Sequence, residues 1–442
     1  MSALFHPLLL IVGLLLGKLG KPQPARILFA LAVGLAAGIV GAAWAPDQAL
    51  AWTSYVEPFG TLWLNGLRMA IVPLVVGLLV TGIAATADAA RAGRLAGRAI
   101  LTFVVILTAS SILAALLTPA LLQLWPLDPH AAAKLQASFA TAKPAGPVPG
   151  FGDFLAALVP TNPIAAAAND AFLPLIVFTT VFAFAVMRLP DAQRSVLTAF
   201  FRALADAMLV VIGWVLWLAP IGVFALSYSF GAHAGTAAIG TLLHYVAIVA
   251  GVGLVVWAAA YPLALFGGGV GIGRFLSANA PVTAVAVSTQ SSLASLPAML
   301  RASERIGVPV ATSGVVLPLA VAMFRATGPA MNLAVAIYVA HALGMQLTAA
   351  QLAFGVMAAT VTTMGAVSLP GSISYVSSIA PIAAVMGVPI EPLGLLVAVE
   401  TLPDLVRTLG NVAMDVAVTA TIARHSGEGE APRSETDALL GG

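Results

Sequence analysis

The sequence is short of three kinds of residue: it has no cysteine, and of its 442 residues only 8% are charged and 7% are aromatic. Without cysteine, the chain can form neither disulfide bonds nor thiolate metal sites. Its six histidines stand at positions 6, 130, 233, 244, 341 and 425, without the short spacings typical of metal ligands. The composition therefore predicts no metal site and no resident cofactor.

What the chain has in abundance is apolar sequence, because 60% of its residues are hydrophobic. Soluble domains carry about 25% charged residues, so this composition indicates an all-α polytopic membrane protein. Six apolar runs before residue 267 are predicted to cross a bilayer, at 24–44, 55–87, 100–125, 154–187, 197–228 and 237–266. The second is long enough to bend near Pro73, and the fourth is interrupted at 160–163 and 169–170.

The segments around these runs are predicted to lie outside the hydrocarbon. Residues 1–23 contain an apolar run, 4–16, that is short for a span and is interpreted as an interfacial segment. A basic cytoplasmic turn is predicted at 88–98 and an external loop at 126–152. The polar tail at 425–442 is predicted to be disordered.

The basic residues predict the orientation of the chain. Of the 19 Lys and Arg residues, Arg68, Arg325 and Arg407 lie within apolar segments. With alternating spans and a cytoplasmic start, 14 of the others face the cytoplasm, and only Lys134 and Lys143 face outside. This asymmetry follows the positive-inside rule and predicts a cell (inner) membrane protein with both termini in the cytoplasm.

The last third of the chain has polar or Gly/Pro breaks in the middle of its apolar segments. They lie at 288–292, 326–329 and 365–374, and such breaks occur at membrane depth only where the backbone faces protein or water. Segments 276–300 and 352–386 are predicted to fold as re-entrant helical hairpins. Ser/Thr clusters can alternatively be packing surfaces, but two breaks close to a charged helix favour a joint binding site.

That charged helix lies within the apolar segment 393–422 and carries one polar stripe. The stripe consists of Glu400, Asp404, Arg407, Thr408, Asn411 and Asp415. Their spacing puts all six within about 100° of arc on one helical face. Each ionisable group costs roughly 2.5–3.5 kcal/mol at the centre of a membrane helix, so these groups need partners, water or a ligand. The stripe predicts a substrate or ion pathway.

Signatures of other function classes do not occur in the sequence. The glycine-rich run at 267–273 has no βαβ unit around it and is interpreted as a flexible connection, not a nucleotide loop. The sequence contains no P-loop, nucleophile elbow or HExxH motif. We therefore predict a carrier or a channel rather than an enzyme, with the lipid bilayer, not nucleic acid, as its partner. An anion channel is the alternative.

Several motifs together resemble one transporter family. They are Leu67–Met69 with Val72–Val75, then Val159–Pro163, then Ala219–Leu226, and finally the charged helix. In this order, over roughly residues 25–425, the chain is similar to the dicarboxylate/amino acid:cation symporters, which include glutamate and aspartate transporters.

The resemblance implies an elevator-type fold with about eight transmembrane helices and two re-entrant hairpins. A homotrimer is implied, with residues 24–266 mainly scaffold, the third span belonging to the transport domain, and residues 267–424 forming the transport core. The tip of the first hairpin corresponds to Ser291 and Ser292, and the gate of the second to 365–372 with Pro370 and Gly371.

The resemblance also implies roles for the charged helix. Arg407 would bind the distal carboxylate of the substrate, and Asp404 would receive an amino group. Thr408 and Asn411 would also face the substrate, while Asn411 and Asp415 would face a coupling cation. An alternative interpretation makes Arg407 a structural ion pair with Asp404, one turn away, and both roles are compatible.

The sequence departs from the family at one motif. Sodium-coupled relatives carry Asn-Met-Asp-Gly-Thr in the seventh span, where this chain has Phe324-Arg325-Ala326-Thr327-Gly328. Two oxygen-donating side chains are replaced, and an arginine is added that would repel a cation. Arg325 either pairs with Asp415 as an internal substitute for sodium, or faces the substrate and binds a second carboxylate.

These features predict a secondary active transporter for an acidic amino acid or a dicarboxylate. Asp404 favours a substrate with an amino group, whereas Arg325 favours a C4-dicarboxylate held in a two-arginine clamp. Na⁺ or H⁺ is the expected coupling ion. Protons would be carried by Glu400, Asp404 or Asp415.

Overall fold

The computed structural model describes residues 23–91, 94–127, 159–169, 172–365 and 371–426, and these residues form helices and turns without a β-strand. The all-helical prediction is therefore confirmed for this part of the chain. The interfacial segment at 4–16, nearly all of the external loop, and the tail beyond residue 426 lie outside the described residues.

Four helices form the first part of the structure: α1 (Gln23–Trp44), α2 (Pro46–Arg68), α3 (Ile71–Arg91) and α4 (Arg94–Leu124). The long second span is thus two helices, which separate at residues 69–70. Pro73 lies in the first turn of α3, where its missing N–H removes no helical hydrogen bond. The basic turn is shorter than predicted, because α3 continues to Arg91 and α4 begins at Arg94.

Five helices follow: α5 (Pro163–Ala168), α6 (Phe172–Val186), α7 (Asp191–Trp217), α8 (Ala219–Ala234) and α9 (Ala237–Pro262), which ends in a π-helical turn, Leu263–Gly267. Asn162 caps α5, since its Oδ1 accepts hydrogen bonds from the amides of Ile164 and Ala165 at 2.9 and 3.1 Å. The prediction of one span over 197–228 was wrong. Leu218 separates α7 from α8, because Pro220 cannot donate an intrahelical hydrogen bond.

The last part consists of α10 (Ile272–Thr289), α11 (Leu296–Arg305), α12 (Val310–Met323), α13 (Thr327–Ala342), α14 (Ala349–Gly365), α15 (Gly371–Val385), α16 (Leu393–Leu396) and α17 (Thr401–Ser426). Helices α10 and α11 pack against each other, as do α14 and α15. We call these pairs hairpin 1 and hairpin 2. The segments predicted to be hairpins are therefore pairs of helices that pack against each other, and residues 366–370, between α14 and α15, lie outside the described residues.

By length and apolar composition, six helices of the described residues can cross a membrane. They run over Arg26–Trp44, Arg94–Leu124, Asp191–Trp217, Ala237–Gly267, Val310–Ala342 and Thr401–Ser426. Both hairpins contribute a shorter apolar helix, within α10 and α14. The chain is thus a multi-pass membrane protein, with six membrane-length helices among its described residues.

Packing divides the helices into two sets, and α17 belongs to the second. Helices α1, α2 and α8 contact one another, and α3 packs on α7 and α6. In the other set, α9 packs on α17, and α4 packs on α13. Helix α9, which belongs to the half predicted to be mainly scaffold, lies against the charged helix.

Glycines bring α1 and α8 into close contact. A Cβ atom added to Gly38 would lie 2.3 Å from the carbonyl oxygen of Tyr228 and 2.7 Å from the backbone nitrogen of Ala232. These atoms belong to backbone, so they cannot move aside as a flexible side chain would. Small residues permit such contacts between membrane helices.

We expect Gly38→Ala to destabilise the protein by about 1–3 kcal/mol, because the methyl group overpacks this contact. Gly97→Ala in α4 is the matched control, since a Cβ there meets nothing within 4 Å. The control should keep or raise stability, as alanine favours helix over glycine. Melting temperatures of the purified protein measure both effects, and equal values for the two variants would contradict the packing argument.

Candidate functional site

The centre of the candidate site is a break in the seventh predicted span. Helix α12 ends at Met323 and α13 begins at Thr327, so the break starts two residues before the predicted Gly/Pro position. Pro329, in the first turn of α13, cannot donate the helical hydrogen bond to the carbonyl oxygen of Arg325 and so favours the break. The hydroxyl of Ser110 in α4 donates to the carbonyl oxygen of Ala326 at 2.6 Å, which satisfies one backbone group released there.

All six residues of the predicted polar stripe are buried. The charged helix, however, does not run continuously from 393: α16 ends at Leu396 and α17 begins at Thr401. Pro403 prevents continuity, since its ring excludes a helical turn before it. Glu400 therefore lies in the turn that precedes α17, and its carbonyl oxygen accepts the amide of Asp404 at 2.9 Å.

Arg407 is the most connected side chain of the stripe. Its Nη1 donates to carboxylate oxygens of Glu400 and of Asp404, the latter at 3.0 Å. Its Nη2 reaches Oδ1 of Asn332 in α13 at 3.4 Å. Its buried Nε has no hydrogen-bond partner among the described residues. The predicted ion pair with Asp404 is present, and Arg407 retains donors for a further group.

A second guanidinium lies beside the same small cavity. The cavity is lined by Arg325, Gly328, Asn332, Thr363, Tyr375, Ser378 and Arg407. These residues come from the helix break, α13, both arms of hairpin 2, and α17. Two guanidinium groups with hydroxyl and amide donors are the chemistry that binds carboxylates.

Asp415 and Asn411 lie further along the same face of α17. Oδ1 of Asn411 accepts from the amide of Thr327 at 3.0 Å and lies 2.6 Å from its hydroxyl. Oδ1 of Asp415 is buried and has no hydrogen-bond partner among the described residues. Asp415 and Arg325 form no salt bridge there, although their charges are close enough to interact.

The structure does not bring every predicted residue to the cavity. Ser291 and Ser292 lie at the tip of hairpin 1, where Oγ of Ser291 accepts the amide of Ala294 at 3.2 Å. Thr408 donates within its own helix, to the carbonyl oxygen of Asp404 at 2.9 Å. Pro370 lies outside the described residues, and Gly371 is the first residue of α15.

Sequence analysis missed a group of polar residues behind the cavity. The hydroxyls of Tyr245 and Tyr375 lie 2.8 Å apart, and Tyr245 donates to Oε2 of Glu400 at 3.5 Å. Asn332, Thr363 and Ser378 were missed too, because single polar residues in apolar helices resemble ordinary packing positions. In the sequence, only their positions near the predicted breaks distinguish these residues from other polar residues of the helices.

The helices and the buried charged cavity define a multi-pass membrane protein with an internal polar site. The family model described as the sodium:dicarboxylate symporter family matches residues 24–425, and the chain belongs to this family. The resemblance inferred from the motifs is thereby confirmed. The family consists of transporters, not of enzymes.

Curated relatives match over nearly their whole length. The proton/sodium-glutamate symport protein of Bacillus subtilis is 30% identical over 424 residues, covering 93% of this chain and 96% of that protein. The proton/glutamate-aspartate symporter of Escherichia coli is 28% identical, covering 90% and 92%. The C4-dicarboxylate transport protein 1 of Pseudomonas aeruginosa is 27% identical, covering 94% and 91%.

Proposed function

We propose that this protein is a secondary active transporter that carries small dicarboxylates into the cell with a coupling cation. The observation that carries this proposal is the pair of guanidinium groups, Arg325 and Arg407, beside one cavity. Each guanidinium can hold one carboxylate through parallel hydrogen bonds. Two such groups beside one cavity suit a substrate with a carboxylate at each end.

Two substrate classes fit this arrangement, and the structure favours C4-dicarboxylates such as succinate and malate. Asp404, which would bind an amino group, does not line the cavity, and Arg407 already neutralises it at 3.0 Å. Acidic amino acids are the second candidate. A substrate carboxylate bound to Arg407 would displace Asp404 from Arg407, and Asp404 could then bind an amino group. Uptake of succinate that aspartate does not inhibit would exclude the second class.

The charges of the site support coupling to a cation. Arg325 and Arg407 face Glu400, Asp404 and Asp415, which leaves one net negative charge when all are ionised. A bound dianion would raise this to three negative charges in a medium where unpaired charge is expensive. Uptake of protons or cations together with the substrate removes that excess.

We infer that the coupling ion is the proton, with Glu400 as its carrier. A sodium ion requires several oxygen ligands, whereas Phe324 and Ala326 offer no side-chain oxygen, and the oxygen of Asn411 is engaged by Thr327. A substrate carboxylate would compete with Glu400 for Arg407. Once released, the buried Glu400 would bind a proton, because an unpaired carboxylate is poorly solvated there. Asp415 is the second candidate carrier.

The test of coupling is uptake of labelled succinate and aspartate into liposomes under separately imposed proton and sodium gradients. We expect an inward proton gradient to drive accumulation and a sodium gradient to have little effect. Glu400→Gln should reduce proton-driven accumulation at least about tenfold, because glutamine cannot bind and release the coupled proton. Exchange of substrate across the membrane should continue. Sodium-driven accumulation in the unmodified protein would contradict this assignment.

The family membership supports an elevator mechanism in a homotrimer of the inner membrane, with both termini cytoplasmic. Hairpin 2 packs against α3 and α7, while hairpin 1 packs against α12 and α17. This arrangement suits a transport core that slides along a scaffold built from α1–α3, α7 and α8, with α4 and α9 moving with the core. A large conductance without substrate would instead identify an anion channel.

A further inference from the structure

Hairpin 1 carries a groove that the substrate site does not use. The groove encloses about 530 Å³ and is lined entirely by α10, α11 and the turn between them, so no other helix of the described residues closes it. Its apolar lining is mainly alanine and proline, whose small side chains leave space along the hairpin. These apolar residues are Ala278, Pro281 and Val285 on α10, and Ala294, Pro297 and Ala298 on the other arm. We call this feature the hairpin 1 groove.

One end of the hairpin 1 groove is positively charged. Arg301 and Arg305 complete its lining, and their spacing of four residues puts them one turn apart on one face of α11. Both side chains are exposed, and neither forms a salt bridge among the described residues. Arg274 adds a third charge, since its Nε and Nη2 donate to the carbonyl oxygen of Arg305 at 3.2 and 2.9 Å. The groove is therefore cationic at one end and apolar along the rest.

The groove has the length and the polarity of one membrane leaflet. Between Pro297 and Arg305, α11 rises about 12 Å, and Ala294 extends the apolar lining beyond Pro297. Half of the hydrocarbon core of a bilayer is about 15 Å thick. Hairpin 1 also exposes large apolar side chains, Leu276 and Leu293, which suit contact with hydrocarbon. The groove therefore suits an acyl chain whose headgroup meets the guanidinium groups.

We propose that the hairpin 1 groove binds one anionic phospholipid, with its phosphate at Arg301 and Arg305 and one acyl chain along the apolar lining. Guanidinium groups bind phosphate oxygens through paired hydrogen bonds. The only carboxylate in the two helices, Glu304, is not part of the lining. The arginines lie on the predicted cytoplasmic side, where anionic lipids attract basic residues near the membrane surface. No residue of the substrate cavity takes part, so this inference does not rest on the proposed function.

The absence of cysteine from the chain permits a site-specific test, because Leu293→Cys creates one attachment point for a fluorophore between the arms of hairpin 1. The labelled full-length protein is reconstituted in phosphatidylcholine vesicles that contain increasing fractions of nitroxide-labelled phosphatidylglycerol or nitroxide-labelled phosphatidylcholine. We expect phosphatidylglycerol to quench the fluorophore at a mole fraction at least about fivefold lower, the factor expected for one arginine beside an anionic lipid. Leu116→Cys, at an exposed position of α4, should report equal quenching by both lipids.

Two kinds of variant, made in the Leu293→Cys protein, test the two parts of the site. Arg301→Gln with Arg305→Gln should remove the preference for phosphatidylglycerol, and the melting temperature should stay unchanged, since both side chains are exposed. Ala298→Phe fills the groove and leaves both arginines in place, and it should reduce quenching by phosphatidylglycerol to the level of phosphatidylcholine. Arg202→Gln, at an exposed position of α7, is the matched control for loss of an arginine and should keep the preference.

Equal quenching by both lipids in Leu293→Cys would overturn the proposal, as would a preference that survives the double arginine variant or Ala298→Phe. Quenching by neither lipid would show that another protein surface covers the groove, with the same consequence. Inorganic phosphate at constant ionic strength should leave the preference intact, because it has no acyl chain to hold it in the groove; loss of the preference would identify a site for a free anion only and overturn the proposal. Uptake is measured separately, so that a lipid preference without uptake refutes transport alone, and uptake without a lipid preference refutes this inference alone.

Discussion

Arg407→Lys is expected to reduce uptake of dicarboxylates by roughly 30-fold to several thousand-fold, equivalent to about 2–5 kcal/mol. Lysine keeps the positive charge but lacks the planar fork that holds a carboxylate through two hydrogen bonds. It also cannot bond Glu400, Asp404 and Asn332 from one rigid group, as Arg407 does. Initial uptake rates at several substrate concentrations measure the loss.

Loss of folding must be separated from loss of binding, since breaking a buried ion pair destabilises proteins by about 3–5 kcal/mol. The double variant Arg407→Gln with Glu400→Gln removes opposite charges together, so its melting temperature should lie above that of Arg407→Gln alone, without recovery of uptake. Arg301→Lys is the matched control for the chemical change, because Arg301 is exposed on hairpin 1, away from the cavity. Wild-type uptake by Arg407→Lys would refute the role of Arg407 in the substrate site.

Arg325→Met is expected to raise the KM for succinate by at least about 30-fold, because a desolvated charge pair with the second carboxylate is lost. Methionine fills a similar volume without charge, so the cavity wall should remain closed. Arg325 lines the cavity, and in the described residues it forms no salt bridge with Asp415. We therefore expect sodium dependence to remain unchanged in this variant.

The opposite result supports the other hypothesis for Arg325. If Arg325 acts as an internal substitute for sodium, Arg325→Met leaves the succinate KM intact and creates a requirement for sodium. Arg301→Met, on the exposed face of hairpin 1, controls for loss of one arginine. The double variant Arg325→Met with Arg407→Lys extends the test. If the two residues hold opposite ends of one substrate, their effects on substrate affinity should not be additive.

The site residues were predictable to different degrees, because some residue types stand out in an apolar helix and others do not. Asp404, Arg407, Asn411 and Asp415 were found because several ionisable groups on one apolar helix have few explanations other than function. Tyr375 and Ser378 were not, because a lone hydroxyl is tolerated in any packed membrane helix. The loss of two oxygen donors around Arg325 was visible in sequence, but its place on the cavity wall was not.

Helix boundaries show the same limit. The interruption at 160–163 and a bend near Pro73 were predicted, whereas the separation at 69–70 and the interruptions at Leu218 and before Thr401 were not. Proline marks a probable interruption, but the residues around it determine whether the helix bends, stops or continues. At the break, the carbonyl oxygen of Ala326 accepts a hydrogen bond from Ser110, which lies 216 positions away in the chain.

By itself, the sequence determined the class of this protein: a helical membrane protein of the symporter family, with two hairpins and a charged stripe at its centre. The membrane class and the charged stripe follow from composition and helical periodicity, which are local along the chain, whereas the family follows from the resemblance of its motifs. Only the tertiary structure decided that Arg325 and Arg407 share a cavity, that Glu400 bonds Arg407, and that Tyr245 reaches Glu400. Such contacts depend on distances between segments far apart in sequence, which periodicity does not specify.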